Sequence, residues 1–406
     1  MLTEVRPQID VCRSPDGHGV VTFMRDWTRH REGMRVAVVT ESFLPSVNGV
    51  AGSVCRVLDH LRRRGHEAMV ICPAPAPASY NGYPVHGVAG FSYHQFAVGV
   101  PTPDLRPRLQ AFAPDVVHAA SPFVLGAAGV FAAARLGIPS VAVYQTDVAG
   151  FARTHGMRLA HRAAWGWIRR VHTAADLTLA PSGPTIEDLV SHGVPRVHRW
   201  ARGVDTTLFD PAWRTDRGSR ALRHALAPQG QVLVGYVGRL SPEKRVERLT
   251  HLAGIAGSRL VVVGDGPSAG SVARALAGTD AVLLGRREGE DLARAYACLD
   301  LFVHTGTDET FGQTVQEAMA CALPVVAPAS GGPLDLVEPG VTGLLHPADG
   351  SGLRDAVERL VADADLRARL GAAGRLRVQA RSWEAVGDEL LAHYASVIDA
   401  RGTAAA

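Results

Sequence analysis

The sequence predicts an α/β protein built from two doubly wound domains. Short apolar runs alternate with longer amphipathic stretches, the alternation restarts near the middle of the chain, and Gly-rich or charged loops follow the apolar runs. Alternating strands and helices form a parallel sheet that is covered on both faces. With 406 residues, 47% of them hydrophobic, the chain can build two such cores.

The first half of the chain supplies the first domain, which we place at residues 34–203. Arg35–Thr40 is a short apolar run typical of a buried strand, and Gly52–Arg64 has the spacing of a helix. Further strands are predicted at 68–72, 116–118 and 140–144. Residues 1–33 lack any such pattern, and we interpret them as a flexible N-terminal extension.

The alternation restarts at Val232–Val237, after a stretch near 203–220 that is rich in Asp, Pro, Gly and Arg. A helix is predicted at Val246–Ala256. The other predicted elements of this second domain, placed at 204–382, are strands at 260–263, 281–284, 301–304 and 324–327 and a helix at 314–320. Ligands of open α/β sheets bind at the carboxyl ends of the strands, so we expect the site in the cleft between the domains.

Composition limits where the chain works and what it meets. Five scattered Cys without zinc spacing are typical of a reducing compartment, and no signal peptide or membrane-spanning run is visible, so we expect a cytoplasmic chain. Residues 1–204 carry 21 Arg against 14 acids, whereas the rest carries 21 Lys plus Arg against 25 acids. The two halves are therefore expected to meet different partners, or one half an anionic surface. Nothing in the sequence indicates a nucleic-acid partner or the oligomeric state.

The first chemical motif is Gly238-Arg239, followed by Lys244, directly after the strand at 232–237. Lys244 is the only Lys in a chain with 41 Arg, which suggests a specific reason for an ammonium at this position. A guanidinium fork and a point charge at a strand end suit a diphosphate. The alternative is a surface turn with solvated cations.

The second motif runs from Glu309 to Glu317 and opens a helix after the strand at 301–304. Backbone amides at the start of this helix can receive phosphate oxygens, and the residues concerned are Phe311, Gly312, Gln313 and Thr314. Glu309 can reach a sugar hydroxyl, and Glu317 can accept hydrogen bonds from ribose hydroxyls. A solvated helix face is the alternative for Glu317.

Two Gly loops and three polar residues complete the candidate site. Gly264 and Gly266 follow a strand, but the dinucleotide-binding spacing fails, so a plain turn is the better interpretation of this loop taken alone. Asn48 and Gly49 form a loop that can approach a ligand closely, or a simple connection. On the first domain, cleft-lining candidates stand at two strand ends: His118, Gln145 and Asp147. A structural role is the alternative for His118.

These motifs together resemble the group-1 family of retaining GT-B glycosyltransferases, over nearly the whole chain from Met34 onward. The Glu309…Glu317 pair, with seven residues between, is the most specific of them. Longer stretches at 41–50, 144–150, 196–205 and 311–318 look like GDP-mannose-dependent α-mannosyltransferases of glycolipid synthesis, of the phosphatidylinositol mannoside or glucuronosyl diacylglycerol type. Related UDP-sugar enzymes of sulfolipid synthesis share much of this, which leaves the donor nucleotide open.

The resemblance implies a GT-B fold, with two Rossmann-like domains facing each other across a cleft and the last helix, here 383–398, returning to the first domain. It implies a nucleotide-sugar donor on the second domain, a lipid or glycan acceptor on the first, and retention of configuration without a metal ion or other cofactor. Arg239 and Lys244 would stabilise the departing diphosphate, Glu309 would orient the mannose ring, and Glu317 would bind the ribose. One departure is Ala120, where many relatives carry a second His.

Two other classes and one surface remain open. A nucleotide-sugar epimerase would share the cleft but not the whole set of charged residues, and a non-catalytic transferase-like partner should have lost some of them. Residues 150–204 carry eight Arg against three acids, with Trp165 and Trp167 among them. Part of this stretch could form a basic helix that carries the two Trp. A helix of this kind would suit the surface of an anionic membrane, or its Trp side chains could simply pack in the core.

Overall fold

The computed structural model describes residues 33–46, 48–93, 96–146, 150 and 158–405, and it places them in two mainly parallel sheets with helices on both faces. The α/β class and the two doubly wound units predicted from the sequence are confirmed. The extension predicted at 1–33 lies outside the described residues, apart from Gly33.

The first sheet has eight strands in the order β10-β9-β8-β7-β1-β2-β4-β3. Its strands are β1 (Arg35–Thr40), β2 (Glu67–Pro73), β3 (Ser79–Tyr80), β4 (Tyr83–Val88), β7 (Val116–Ala120), β8 (Ser140–Val143), β9 (Leu177–Ala180) and β10 (Val197–Arg199), and β5 (Gly90–Tyr93) and β6 (Phe96–Gly99) form a separate hairpin. Its helices are α1 (Gly49–Arg63), α2 (Leu105–Phe112), α3 (Leu125–Leu136), α4 (Arg158–Ala174) and α5 (Gly183–Ser191).

Strand β1 shows why this sheet is covered on both faces. Its side chains alternate between two cores: Val36 and Val38 pack with α1, whereas Ala37 and Val39 pack with α2 and α3. All four are fully buried, as expected for a central parallel strand. The carboxyl end of β1 therefore opens between two helical layers.

The second sheet has six parallel strands in the order β13-β12-β11-β14-β15-β16. They are β11 (Val232–Val237), β12 (Ser258–Val263), β13 (Val282–Gly285), β14 (Leu301–Val303), β15 (Val325–Pro328) and β16 (Gly343–His346). The accompanying helices are α6 (Arg217–Leu226), α7 (Ala269–Ala275), α8 (Gly289–Cys298), α9 (Gln313–Ala320), α10 (Pro333–Leu336), α11 (Leu353–Ala362) and α12 (Ala364–Gln379). The helix predicted at Val246–Ala256 is instead a 3₁₀ helix at Val246–Leu252, because Ala253 is extended and Gly254 is left-handed.

The chain crosses between the domains twice. Residues 200–205 lead into the second domain, and α13 (Trp383–Ala405) leads back to the first. At the crossing Val204 donates its amide to the Arg381 carbonyl at 2.9 Å. Helix α13 packs Val386, Leu390 and Tyr394 into the core that contains α1, which places the last helix on the first domain.

Candidate active site

The diphosphate motif and the acidic motif follow neighbouring strands. β11 and β14 pair in parallel next to the point where the strand order reverses, so the loops after them meet at one sheet edge. There the Lys244 ammonium forms an ion pair with the Glu309 carboxylate. The Thr305 hydroxyl donates to the Lys244 carbonyl at 2.7 Å and fixes one loop against the other. The fold thus joins two residues that are 65 positions apart.

Glu309 is a carboxylate that stays ionised. Burial would raise its pKa, but the positive charge of Lys244, the nearby His304 ring and the Phe311 amide together lower the pKa to about 2. His304 lies with Nε2 3.8 Å from a Glu309 oxygen. Burial lowers the pKa of His304 to about 4, so its ring is neutral near pH 7. The charge of Glu309 is therefore balanced by Lys244.

Glu317, one turn into α9, has the opposite character. Burial raises the pKa of this carboxyl to about 7, although hydrogen bonds from Tyr296 and Gln313 and the positive charge of Arg202 act to lower it. The Tyr296 hydroxyl donates to Glu317 Oε2 at 3.0 Å. The two acids predicted together therefore differ in charge near neutral pH.

Gly312 is the N-cap residue of α9, and no side-chain hydrogen bond caps this helix start in the part of the chain that the structure describes. Gly312 lies at φ 96°, in the left-handed region, immediately before Gln313. The amide side chain of Gln313 donates to the Gly203 carbonyl at 3.2 Å, and the Thr314 carbonyl accepts from Tyr296 at 3.3 Å. The Phe311 side chain is 3% exposed and packs in the core, so its part in donor binding stays a prediction for its backbone amide alone.

Contact between the loops after β11 and β12 explains why positions 238, 264 and 266 are glycines. A Cβ at Gly264 would lie 1.9 Å from the Gly238 carbonyl oxygen, and one at Gly266 would lie 2.4 Å from the Leu240 carbonyl oxygen. The loop after β12 thus packs backbone against backbone on the loop that carries Arg239. A direct donor contact by these glycines stays a prediction.

Asn48 caps α1, and its assignment to the acceptor side stays a prediction. Its Oδ1 accepts from the amides of Val50 and Ala51, each at 3.0 Å, and its Nδ2 donates to the Ser42 hydroxyl at 2.7 Å. This is the usual role of Asn before a helix. The side chain of Asn48 is therefore engaged in capping, although Asn48 and its neighbour Gly49 are both exposed.

Arg202 is a site residue that sequence reasoning missed. Its Nη2 donates to Gln145 Oε1 at 2.8 Å, and a Cβ at Gly49 would come within 2.9 Å of its Nη1. Burial lowers the pKa of this guanidinium, and the charges of Glu309 and Glu317 act to raise it. Arg202 thus contacts the Gly49 loop and Gln145 of the first domain and lies near enough to Glu309 and Glu317 for their charges to act on it. The signal was its place in the stretch 196–205.

His118 does not line the cleft, and its assignment as a catalytic residue is wrong. It is 1% exposed, its Nδ1 lies 2.7 Å from the Tyr394 hydroxyl, and its ring packs edge-on against Trp200. Burial lowers its pKa to about 4. The ring points into the core beneath α13, because on β7 it shares a face with Val116 and Ala120 rather than with the cleft.

Arg239 and Asp147 complete the predicted set. Arg239 is exposed, and within the described part of the chain its side chain has no hydrogen bond or ion pair. Asp147 lies outside the described residues. Among the residues that the structure describes, no group of three or more His, Cys, Asp or Glu side chains could hold a metal ion.

The chain has two doubly wound domains, and two cations, Arg239 and Lys244, and two acids, Glu309 and Glu317, follow the strands at the reversal point of the second sheet. This arrangement defines the class as a GT-B glycosyltransferase. Residues 47–208 match the profile of Glycosyltransferase Family 4, and residues 220–377 match that of Glycosyl transferases group 1. The chain belongs to this glycosyltransferase family, which sets aside the epimerase alternative.

Similar proteins cover almost the whole chain. GDP-mannose-dependent alpha-mannosyltransferases of Mycobacterium tuberculosis and Mycolicibacterium smegmatis are 50% and 51% identical, over 92% of this chain and 100% of each relative. The protein of that name from Corynebacterium glutamicum is 44% identical over 90% of this chain and 89% of its own length. The crystal structure of Anabaena HepE with UDP and glucose has a TM-score of 0.71 at 22% identity, covering 89% of this chain and 100% of HepE, and it supports the fold.

Proposed function

We propose that this glycosyltransferase moves mannose from GDP-mannose to a lipid-linked acceptor with retention of configuration. The observation that carries the proposal is the Lys244–Glu309 ion pair, with the exposed Arg239 on the same loop as Lys244, at the sheet edge where ligands of such folds bind. The relatives at 44–51% identity support mannose and GDP.

In this proposal the cations act on the leaving group. Arg239 and Lys244 stabilise the charge that develops on the departing GDP, and the amides around Gly312 add donors to the same oxygens. Because two cations and a helix start meet this charge, we expect turnover to need no metal ion. Glu309 accepts from the mannose hydroxyls, and ionised Glu317 accepts from the ribose hydroxyls. The acceptor hydroxyl attacks the face that the diphosphate leaves, and a phosphate oxygen takes its proton.

A donor and chelator assay tests this proposal. Purified protein is incubated with GDP-mannose or UDP-glucose and a membrane lipid extract, with and without EDTA, and the lipid products are analysed. We expect mannosylated lipid from GDP-mannose, in equal yield with EDTA. Tighter binding of UDP than of GDP would overturn the donor assignment. Activity that is lost in EDTA and restored by Mg²⁺ would overturn the metal assignment.

The first domain offers a surface for an anionic membrane. Helices α2, α3 and α4 cover one face of its sheet, and their sequences contain seven Arg and no Asp or Glu. Arg135, Arg162, Arg169 and Arg170 are exposed. The Trp side chains do not add to this surface, since Trp165 is 7% exposed and Trp167 donates to the Phe123 carbonyl at 2.6 Å. We therefore propose electrostatic, peripheral attachment, with about 1 kcal/mol from each nearby cation.

No helix among the described residues is both long and apolar enough to span a bilayer. Sedimentation with phosphatidylglycerol vesicles tests peripheral attachment. Binding should weaken with salt and fall when the four exposed Arg of α3 and α4 are changed to Ser. The matched control changes four exposed Arg of the second domain instead: Arg214, Arg217, Arg220 and Arg274. Equal loss in both variants, or no binding of the wild type at low salt, would refute this attachment.

A further inference from the structure

The loop that carries Glu309 is packed from its own domain by two glycines. Gly332 donates its amide to the Glu309 carbonyl at 2.7 Å. A Cβ at Gly331 would lie 2.4 Å from that carbonyl oxygen, and a Cβ at Gly332 would lie 2.1 Å from the Phe311 carbonyl oxygen. One side of the loop thus leaves no room for a side chain, and the other side faces the first domain.

On that other side, hydroxyl groups at the N-terminus of α5 bind the same loop. Ser182 Oγ donates to the Thr310 carbonyl at 2.8 Å, and Thr185 Oγ1 donates to the same oxygen at 3.3 Å. Ser182 is fully buried, and Thr185 is 9% exposed. Thr310 follows Glu309 directly, so these bonds from the first domain act one residue from the proposed sugar contact.

A second contact lies beside the first and also joins the domains. Asp335, on α10 of the second domain, accepts from the Gly183 amide at 2.7 Å and pairs with Arg199 at 3.0 Å. The Asp335 carboxylate is 15% exposed, whereas the Arg199 side chain is 53% exposed, so the buried part of this contact is the Asp335 end. Together the two contacts fix the Glu309 loop against the domain that is expected to bind the acceptor.

We propose that Ser182 and Thr185 are positioning residues, which align Glu309 for sugar transfer only when the two domains are in this arrangement. The inference rests on the proposed function, because it assigns Glu309 to the donor sugar. The bonds to Thr310 run between domains, so they break when the domains separate. The phosphate-binding residues lie within the second domain and do not depend on them. Nucleotide binding is therefore independent of the α5 contact, whereas transfer requires it.

The test separates binding from turnover. Thr185→Val removes one bond to Thr310 but leaves Ser182 free to cap α5, where it accepts from the Thr185 amide. Ser182→Ala combined with Thr185→Val removes both bonds. We expect kcat of the double variant to fall about tenfold or more, with the GDP Kd and the donor KM within about twofold of wild type. Ser182→Thr keeps the hydroxyl and should retain most of the activity.

Ser191→Ala is the matched control, because Ser191 ends the same helix and donates to the Asp188 carbonyl. It should leave kcat unchanged. The inference is refuted if the double variant has the kcat of this control. It is also refuted if the GDP affinity falls in parallel with kcat, since that would show general damage to the nucleotide site. A wild type that turns over no nucleotide sugar would instead refute the proposed function itself.

Discussion

Replacing Glu317 by Gln should stabilise the protein at alkaline pH while it weakens nucleotide binding. The carboxyl has an ordinary pKa of 4.5 and a folded pKa of about 7, raised by burial. The folded protein therefore binds this proton more tightly than the unfolded chain, and stability falls as pH rises from about 4.5 to about 7. A gap of about 2.5 in pKa corresponds to about 3 kcal/mol, and the partial exposure of Glu317 makes this an upper value.

Gln has no charge to bury, so the difference in unfolding free energy between Glu317→Gln and wild type should grow with pH. We expect it to widen by about 2 kcal/mol between pH 5 and pH 8.5. Urea unfolding followed by Trp fluorescence measures it at both pH values without nucleotide. Taking the difference between two proteins cancels the titration of all other groups. The same variant should bind GDP more weakly at pH 8.5, where the wild-type carboxylate is ionised.

Glu187→Gln is the control, because Glu187 is an exposed carboxyl on α5. Its stability should differ from wild type by the same small amount at both pH values. A stability difference for Glu317→Gln that stays constant from pH 5 to pH 8.5 would refute the argument. It would show that the carboxyl does not change its charge across neutral pH in the folded protein.

Four further substitutions, with Gly52→Ala as a control, test the rest of the site and the core beneath α13. Lys244→Ala and Arg239→Ala should each lower kcat/KM by about 100-fold with the fold intact, measured by steady-state kinetics and circular dichroism. Gly49→Ala places a methyl group 2.9 Å from Arg202 Nη1, so donor KM should rise, whereas Gly52→Ala, with open space around it, should not change KM. His118→Ala should lower unfolding free energy by about 2–4 kcal/mol with donor KM unchanged, because it removes a buried ring and the partner of the Tyr394 hydroxyl.

The sequence could predict the parts of the site that depend on strand ends. Lys244 and Glu309 each follow an apolar run, and parallel strands place such loops at one edge, so their meeting was within reach of the pattern. Strand periodicity was less informative for His118. A three-residue apolar run ending in His does not say which face of the sheet the ring occupies, and the answer depends on where α13 packs.

The residues that sequence reasoning missed are those whose role comes from packing between domains. Ser182 and Asp335 act through partners in the other domain that lie 128 and 152 positions away in the chain. No local period or spacing encodes such contacts, since they depend on the relative orientation of two separately folded sheets. Phe311 shows the same limit within one domain: it belongs to the predicted donor-binding motif, but its ring fills the core.

The Lys244–Glu309 ion pair explains how an ammonium can be accommodated in a part-buried site when no donor is bound. Removing a charged group from water is costly unless an opposite charge lies close to it. Burial would raise the pKa of Glu309, but Lys244 and other contacts lower it to about 2, so the carboxylate is ionised at physiological pH and holds the Lys244 ammonium in position. Arg239 is exposed to solvent and needs no such partner. A diphosphate would then meet one cation already fixed in place and one free to close over it, and the carboxylate that fixes the first would already face the sugar.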